Sequence, residues 1–237
     1  MDQLLVALDV DSGASAISLV KKLRGLVGGF KVGSRLFTIE GPDFVKKLVD
    51  SGNRVFLDLK FHDIPNTVKQ AVEAATWTGA WMINVHISGG TSMMQAAINA
   101  SKAAAANSSY PRPLLIGVTM LTSIDAQTLK QIGIDRPLRE HVVALAKLAK
   151  DTGLDGVVAS PQETADIRKA CGENFTIVTP GIRGFSAGEN SHDQARTMGP
   201  EQAIKAGADY IVVGRPIIAA SNPRVAAQTI VNELAKL

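Results

Sequence analysis

Val55-Phe56-Leu57-Asp58-Leu59-Lys60-Phe61-His62-Asp63-Ile64-Pro65-Asn66-Thr67 places three charges in a run that otherwise reads as a β-strand. Side chains of a strand alternate between faces, so Val55, Leu57, Leu59 and Phe61 share an apolar face, while Phe56, Asp58, Lys60 and His62 share the other. Asp58 and Lys60 therefore point the same way. Pro65 has the φ suited to a first helical turn, and Thr67 to Glu73 continues as a helix. The charges fall where a strand hands over to a helix, the edge at which parallel α/β proteins bind ligands. A structural ion pair would account for Asp58 and Lys60 alone. Asp63 adds a second carboxylate, and an alternating array of this kind is costly to desolvate unless well paired; such costs collect at functional sites.

Outward from this stretch the chain repeats one unit. Ser51-Gly52, Thr78-Gly79, Thr152-Gly153 and Ala206-Gly207 each end a helical run with a glycine suited to the left-handed position after a helix, shortly before an apolar strand. Strands are expected at Leu4 to Val10, Phe30 to Gly33, Val55 to Phe61, Trp81 to Ile87, Leu114 to Met120, Gly156 to Ala159, Thr176 to Thr179 and Tyr210 to Val213. Helices are expected over Ala14 to Leu26, Pro42 to Val49, the run after Pro65, Met93 to Ala106, Arg136 to Asp151, Pro161 to Ala170, a short run at Glu201 to Ile204, and Pro223 to Lys236. Alternation of this kind predicts a (β/α)₈ TIM barrel of parallel strands. A doubly wound sheet is the alternative, without a G-x-G-x-x-G or Walker fingerprint to support it.

Composition narrows the class. With 237 residues and 46% hydrophobic content, the chain can bury a large core. No Pro/Ser-rich linker or charge block divides it, so a single domain over residues 1–237 is expected. The net charge of +3 is scattered and aromatic residues are only 5%, whereas nucleic-acid binding calls for a basic stripe with stacking rings. No nucleic-acid partner is expected. One cysteine, Cys171, excludes an internal disulfide and a Cys-rich metal site. The amino terminus lacks a signal-peptide pattern and no apolar run reaches membrane-spanning length, so the expected setting is the cytoplasm, with no membrane partner.

Asp9, Lys31, Asp58, Lys60, His86, Thr122, Arg183 and Arg215 all fall at the carboxyl ends of their expected strands, which a barrel gathers at one rim. Gly214 and Arg215 follow the last strand. A glycine lets a backbone N–H approach an oxyanion, and a guanidinium matches phosphate oxygens bidentately. With Arg183 on the neighbouring strand, they form a candidate phosphate grip. His62 and His86 lack metal-ligand spacing and read as packing residues.

Asp58-x-Lys60-x-x-Asp63 with Ile64-Pro65-Asn66-Thr67 resembles the signature of the orotidine 5′-monophosphate decarboxylase family. Leu8-Asp9, Phe30-Lys31-Val32-Gly33, Asn84-Val85-His86, Val118 to Ser123, Thr179-Pro180-Gly181-Ile182-Arg183 and Gly214-Arg215-Pro216-Ile217 extend the resemblance in order along the chain. The resemblance implies decarboxylation of orotidine 5′-monophosphate to uridine 5′-monophosphate in pyrimidine biosynthesis, without cofactor or metal. It implies a catalytic set of Lys60, Asp58, Asp63 and Lys31. It also implies that Asp9, Lys31 and Thr67 hold the ribose hydroxyls and the charged array, and that Thr122 meets the pyrimidine. Gln194, Gly214 and Arg215 would hold the phosphate, with Arg183 at a lid formed by the polar loop Gly184 to Gly199. Between Arg183 and Gln194 this loop is slightly longer than the family's usual lid. A homodimer is implied, with Asp63, Ile64 and Thr67 reaching the neighbouring site.

The chemistry to be served is electrostatic. Loss of CO₂ leaves an electron pair on C6 in the plane of the ring, with no electron sink, so fixed charges must stabilise it. Lys60 is the expected ammonium. At an effective dielectric of about 20, each carboxylate ~4 Å away favours its charged form by roughly 4 kcal/mol. A magnesium-dependent sugar-phosphate decarboxylase or aldolase of the same superfamily is the rival reading, but those enzymes carry a glutamate where this chain has Lys31, and a lysine cannot replace an oxygen ligand. A non-catalytic nucleotide-binding module would gain little from the array.

Overall fold

The computed structural model describes residues 2–182 and 198–237. Its strands and helices alternate as β1 (Leu4–Ala7), α1 (Gly13–Leu23), β2 (Gly29–Gly33), α2 (Ser34–Glu40), α3 (Pro42–Asp50), β3 (Val55–Phe61), α4 (Pro65–Thr76), β4 (Met82–His86) and α5 (Gly90–Ala106). The chain continues through β5 (Leu114–Val118), α6 (Ala126–Gln131), α7 (Leu138–Thr152), β6 (Gly156–Val158), α8 (Thr164–Cys171), β7 (Thr176–Thr179), α9 (Pro200–Lys205), β8 (Tyr210–Val213), α10 (Arg215–Ile218) and α11 (Pro223–Leu234). All eight strands are parallel, each pairs with its sequence neighbours, and β8 closes on β1. This is the (β/α)₈ barrel that the repeated joints predict. Gly52, Gly79, Gly153 and Gly207 all have positive φ, between 76° and 106°.

Alternation along the strands divides the apolar residues into two layers. Leu5, Ala7, Phe56, Met82, Ile116, Val118, Val158, Val178 and Val212 fill the barrel interior. Their strand neighbours Leu4, Val6, Leu57, Ile83, Leu115, Val157, Ile177 and Ile211 pack outward against the helices. Both faces are dry, which is why the strands read as nearly continuous apolar runs. Burying each large side chain contributes about 1.5–3 kcal/mol.

The amino-terminal end of the barrel is stitched by paired charges. Asp155, just before β6, accepts two bonds from the Arg112 guanidinium at 3.1 and 2.7 Å and one from the Leu115 N–H at 2.7 Å. Asp209, just before β8, accepts from Arg168 and from the Ile177 N–H, each at 2.7 Å. The Arg54 guanidinium lies 3.7 Å from the centre of the Trp81 ring, whose edge contacts Tyr210.

Several expected boundaries move. β1 stops at Ala7 instead of Val10 and β5 at Val118 instead of Met120; one further backbone bond follows each, from the Leu8 N–H to Lys31 and from the Thr119 N–H to Val158, before the chain leaves the sheet. Helices α2, α6 and α10 are additions to the expected pattern. Among the described residues no helix is long and apolar enough to cross a membrane.

Candidate active site

The carboxyl ends of the strands surround a cavity of about 550 Å³. Its floor is the top of the interior layer: Ala7, Phe56, Val118, Val158 and Val212. Asp9, Lys31, Asp58, Lys60, Thr122, Gly214 and Arg215 line it. These expected site residues, drawn from the ends of β1, β2, β3, β5 and β8, thus meet in one cleft.

Four of them form a chain of alternating charge. The Lys31 ammonium stands 3.2 Å from Asp9 Oδ1 and 3.4 Å from Asp58 Oδ2. Asp58 Oδ1 accepts from Lys60 Nζ at 2.7 Å and from Asn84 Nδ2 at 2.7 Å. Asp58 is only 8% exposed. Burial alone would raise its pKa, but Lys31 and Lys60, with hydrogen bonds from Lys60 and Asn84, outweigh it and hold the carboxyl below its ordinary value. Asp58 is therefore an anion at neutral pH, oriented by two donors, Lys60 and Asn84, with the Lys31 ammonium beside it. The Lys60 side chain remains about a third exposed, consistent with its place on the cavity wall.

Lys60 reaches that position through an irregularity. Leu57 pairs with Ile83 and Phe61 with Val85, so three residues of β3 face one residue of β4. Within this bulge Lys60 has φ 52°, the one positive φ of a non-glycine residue among the described residues. A left-handed conformation costs such a residue about 1–2 kcal/mol, and local strain of this sort gathers at functional sites. Simple alternation places Lys60 beside Asp58 without anticipating the distortion that brings the two together.

Gly33 has a role that the sequence reading does not assign. A Cβ there would stand 3.1 Å from Lys31 Nζ, so its hydrogen leaves room for the ammonium. Asn84 and the apolar floor are also missing from the expected site. The signal for Asn84 is a polar residue in the middle of a strand, between apolar Ile83 and Val85.

Asp63 lies elsewhere. It is exposed and accepts from the Ile64 N–H at 2.6 Å, outside the lining of the cavity. Ile64 is 67% exposed and Thr67 is exposed on the first turn of α4. His62 is exposed rather than packed in the interior, its ring centre 5.3 Å from that of half-buried His86. Burial, then His62 and Lys60, lower the His86 pKa against a smaller opposing effect of Asp58. Arg183, Gln194 and the expected lid up to Thr197 lie outside the described residues.

Comparison with known proteins agrees with this geometry. Residues 2–230 match the family described as Orotidine 5′-phosphate decarboxylase / HUMPS family. An orotidine 5′-phosphate decarboxylase from Syntrophotalea carbinolica is 55% identical, over 98% of this chain and 95% of its own length. One from Pseudoalteromonas translucida is 52% identical, over 93% of this chain and 92% of its own. The crystal structure of the enzyme from Lactobacillus acidophilus is similar with a TM-score of 0.86 at 37% identity, covering 99% of each chain.

Proposed function

The chain belongs to the orotidine 5′-phosphate decarboxylase / HUMPS family, and from that premise we propose that it converts orotidine 5′-monophosphate to uridine 5′-monophosphate without a cofactor or metal. The bond from C6 to the carboxylate breaks heterolytically. CO₂ leaves and its bonding pair stays on C6. The Lys60 ammonium stabilises that pair as it forms and transfers a proton to it; the neutral amine then regains a proton from solvent. Because the donor is fixed before the charge appears, little reorganisation is needed at the moment of reaction. The observation that carries this reading is the 2.7 Å contact between Lys60 and buried Asp58 on the wall of the cavity.

The other residues take supporting roles. Lys31 balances Asp58 and, with Asp9, holds the ribose hydroxyls. Thr122 meets the pyrimidine. Gly214 and Arg215, with Gln194 and Arg183, hold the phosphate, whose binding energy, remote from the reacting bond, contributes to catalysis. Crowding of the substrate carboxylate by Asp58 ranks second to preorganised stabilisation. The magnesium-dependent rival is disfavoured by the Lys31 ammonium, which lies between Asp9 and Asp58, where a hard cation would need oxygen ligands.

The functional unit is a homodimer in the cytoplasm, with Asp63, Ile64 and Thr67 completing the neighbouring site. The exposure of all three and the position of Asp63 outside its own chain's cavity support this. Equal mixing of inactive Lys60→Ala and Asp63→Ala chains should then restore about a quarter of full activity, because half of the dimers would carry one intact site of two. No restoration, or a fully active monomer, counts against the shared site. The overall reading is tested by following loss of the orotate chromophore in the presence of a chelator. Turnover that survives chelation is expected; its absence would refute the metal-free decarboxylase.

A further inference from the structure

Asn84 on β4 is fully buried, yet it does not line the cavity. Its Oδ1 accepts from the Lys60 backbone N–H at 2.8 Å, and its Nδ2 donates to Asp58 Oδ1 at 2.7 Å. An N–H can only donate and a carboxylate can only accept, so a single orientation of the amide satisfies both. The requirement arises in the sheet. Asp58, Leu59 and Lys60 of β3 stand opposite Asn84 alone, between the pairs Leu57 with Ile83 and Phe61 with Val85. The bulge takes the Lys60 N–H out of the backbone ladder, and the Asn84 side chain supplies its acceptor. Glycine would adopt φ 52° without penalty, but it would bring no ammonium.

We infer that Asn84 is a positioning residue: it holds Lys60 in its left-handed backbone conformation and fixes the Asp58 oxygen that the Lys60 ammonium grips. One side chain thereby sets both ends of the catalytic ion pair. It acts through Lys60 and Asp58 and touches no substrate. The inference rests on the catalytic role proposed above for Lys60.

The test uses the full chain with Asn84→Ala and Asn84→Ser, measuring turnover of orotidine 5′-monophosphate, affinity for uridine 5′-monophosphate, melting temperature and crystal structure. In folded variants kcat should fall by about tenfold to a hundredfold while KM and product affinity stay within about threefold, as expected for a misplaced reacting group. Residue 60 should leave positive φ, or its ammonium should move beyond hydrogen-bond reach of Asp58. A folded variant with kcat within about twofold of the parent overturns the inference, as does a parallel loss of kcat, product affinity and melting temperature. Failure of both variants to fold would make Asn84 a residue of the fold and overturn it too. If the parent chain does not turn over the nucleotide, the proposed function fails separately. The inference is then decided by the crystal structures, and an unchanged Lys60 backbone and Asp58 contact in either variant overturns it.

Discussion

At the amino-terminal end of the barrel, Asp155 and Asp209 each accept from an arginine and from a strand N–H. At the carboxyl-terminal end, Asp58 is held by two lysines and an amide side chain. The partners differ in chemistry. A guanidinium forks onto a carboxylate and does not give up its proton, whereas an ammonium is a compact charge that can. The lower acids join a helix or loop to the backbone of an adjacent strand and fix register. The upper acid orients an ammonium on a strained backbone, beside a cavity it helps to line. The same kinds of charge fix register at one end and line a cavity at the other.

The sharpest separation should come from Lys60→Ala. Turnover is expected to fall at least about a thousandfold, roughly 4 kcal/mol of transition-state stabilisation. Stability should change by no more than about 1 kcal/mol, because the lost partner is partly solvated. Steady-state kinetics and urea unfolding read the two quantities, and retained turnover with a large loss of stability would reverse the assignment.

Asp155→Ala should do the opposite. It leaves Arg112 and the Leu115 N–H without their carboxylate, costing about 2–3 kcal/mol in urea unfolding. The kcat of the folded enzyme should be unchanged.

Acid titration distinguishes the upper end by sign. Burial alone would raise the Asp58 pKa, but the lysines and hydrogen bonds around it lower it overall. A carboxyl whose folded pKa is depressed contributes stability that is complete above its unfolded value, near ~3.9, and lost as pH falls through the folded one. Asp58→Asn should therefore flatten the dependence of stability on pH below about pH 4, as measured by thermal melts. An unaltered acid limb would show that Asp58 carries no such linkage.

The smallest expected effect isolates the backbone strain. Lys60→Gly and Lys60→Ala both remove the ammonium, but only alanine must bear the left-handed conformation. The glycine variant should be more stable by about 1 kcal/mol. Equal stabilities, or a more stable alanine variant, would show that the strain is not retained.

The sequence makes much of this legible because its signals are local. Thr176–Thr179 and Tyr210–Val213 are strands within their expected bounds, each a short apolar run closed by polar or glycine residues. The barrel follows from the repeated joints, and the rim residues follow from the strand ends. What stays hidden depends on neighbours distant in sequence. Leu8 and Met120 are apolar, yet their strands end earlier, at Ala7 and Val118, because the extent of pairing is set by the neighbouring strands and not by local hydrophobicity. Helix α2 hides behind β-branched Thr38 and Ile39, with Gly41 as its terminator. The bulge at Lys60 depends on β4 offering one residue against three, which no periodicity within β3 can reveal.

Proton transfer by Lys60 can be read by following the C6 hydrogen of uridine 5′-monophosphate in heavy water by proton NMR. A lysine that delivers a proton to C6 must also remove it in reverse. That hydrogen should exchange for deuterium with the parent chain and not with Lys60→Ala. Equal exchange in both, or none in a parent chain that decarboxylates its substrate, would contradict proton transfer by Lys60.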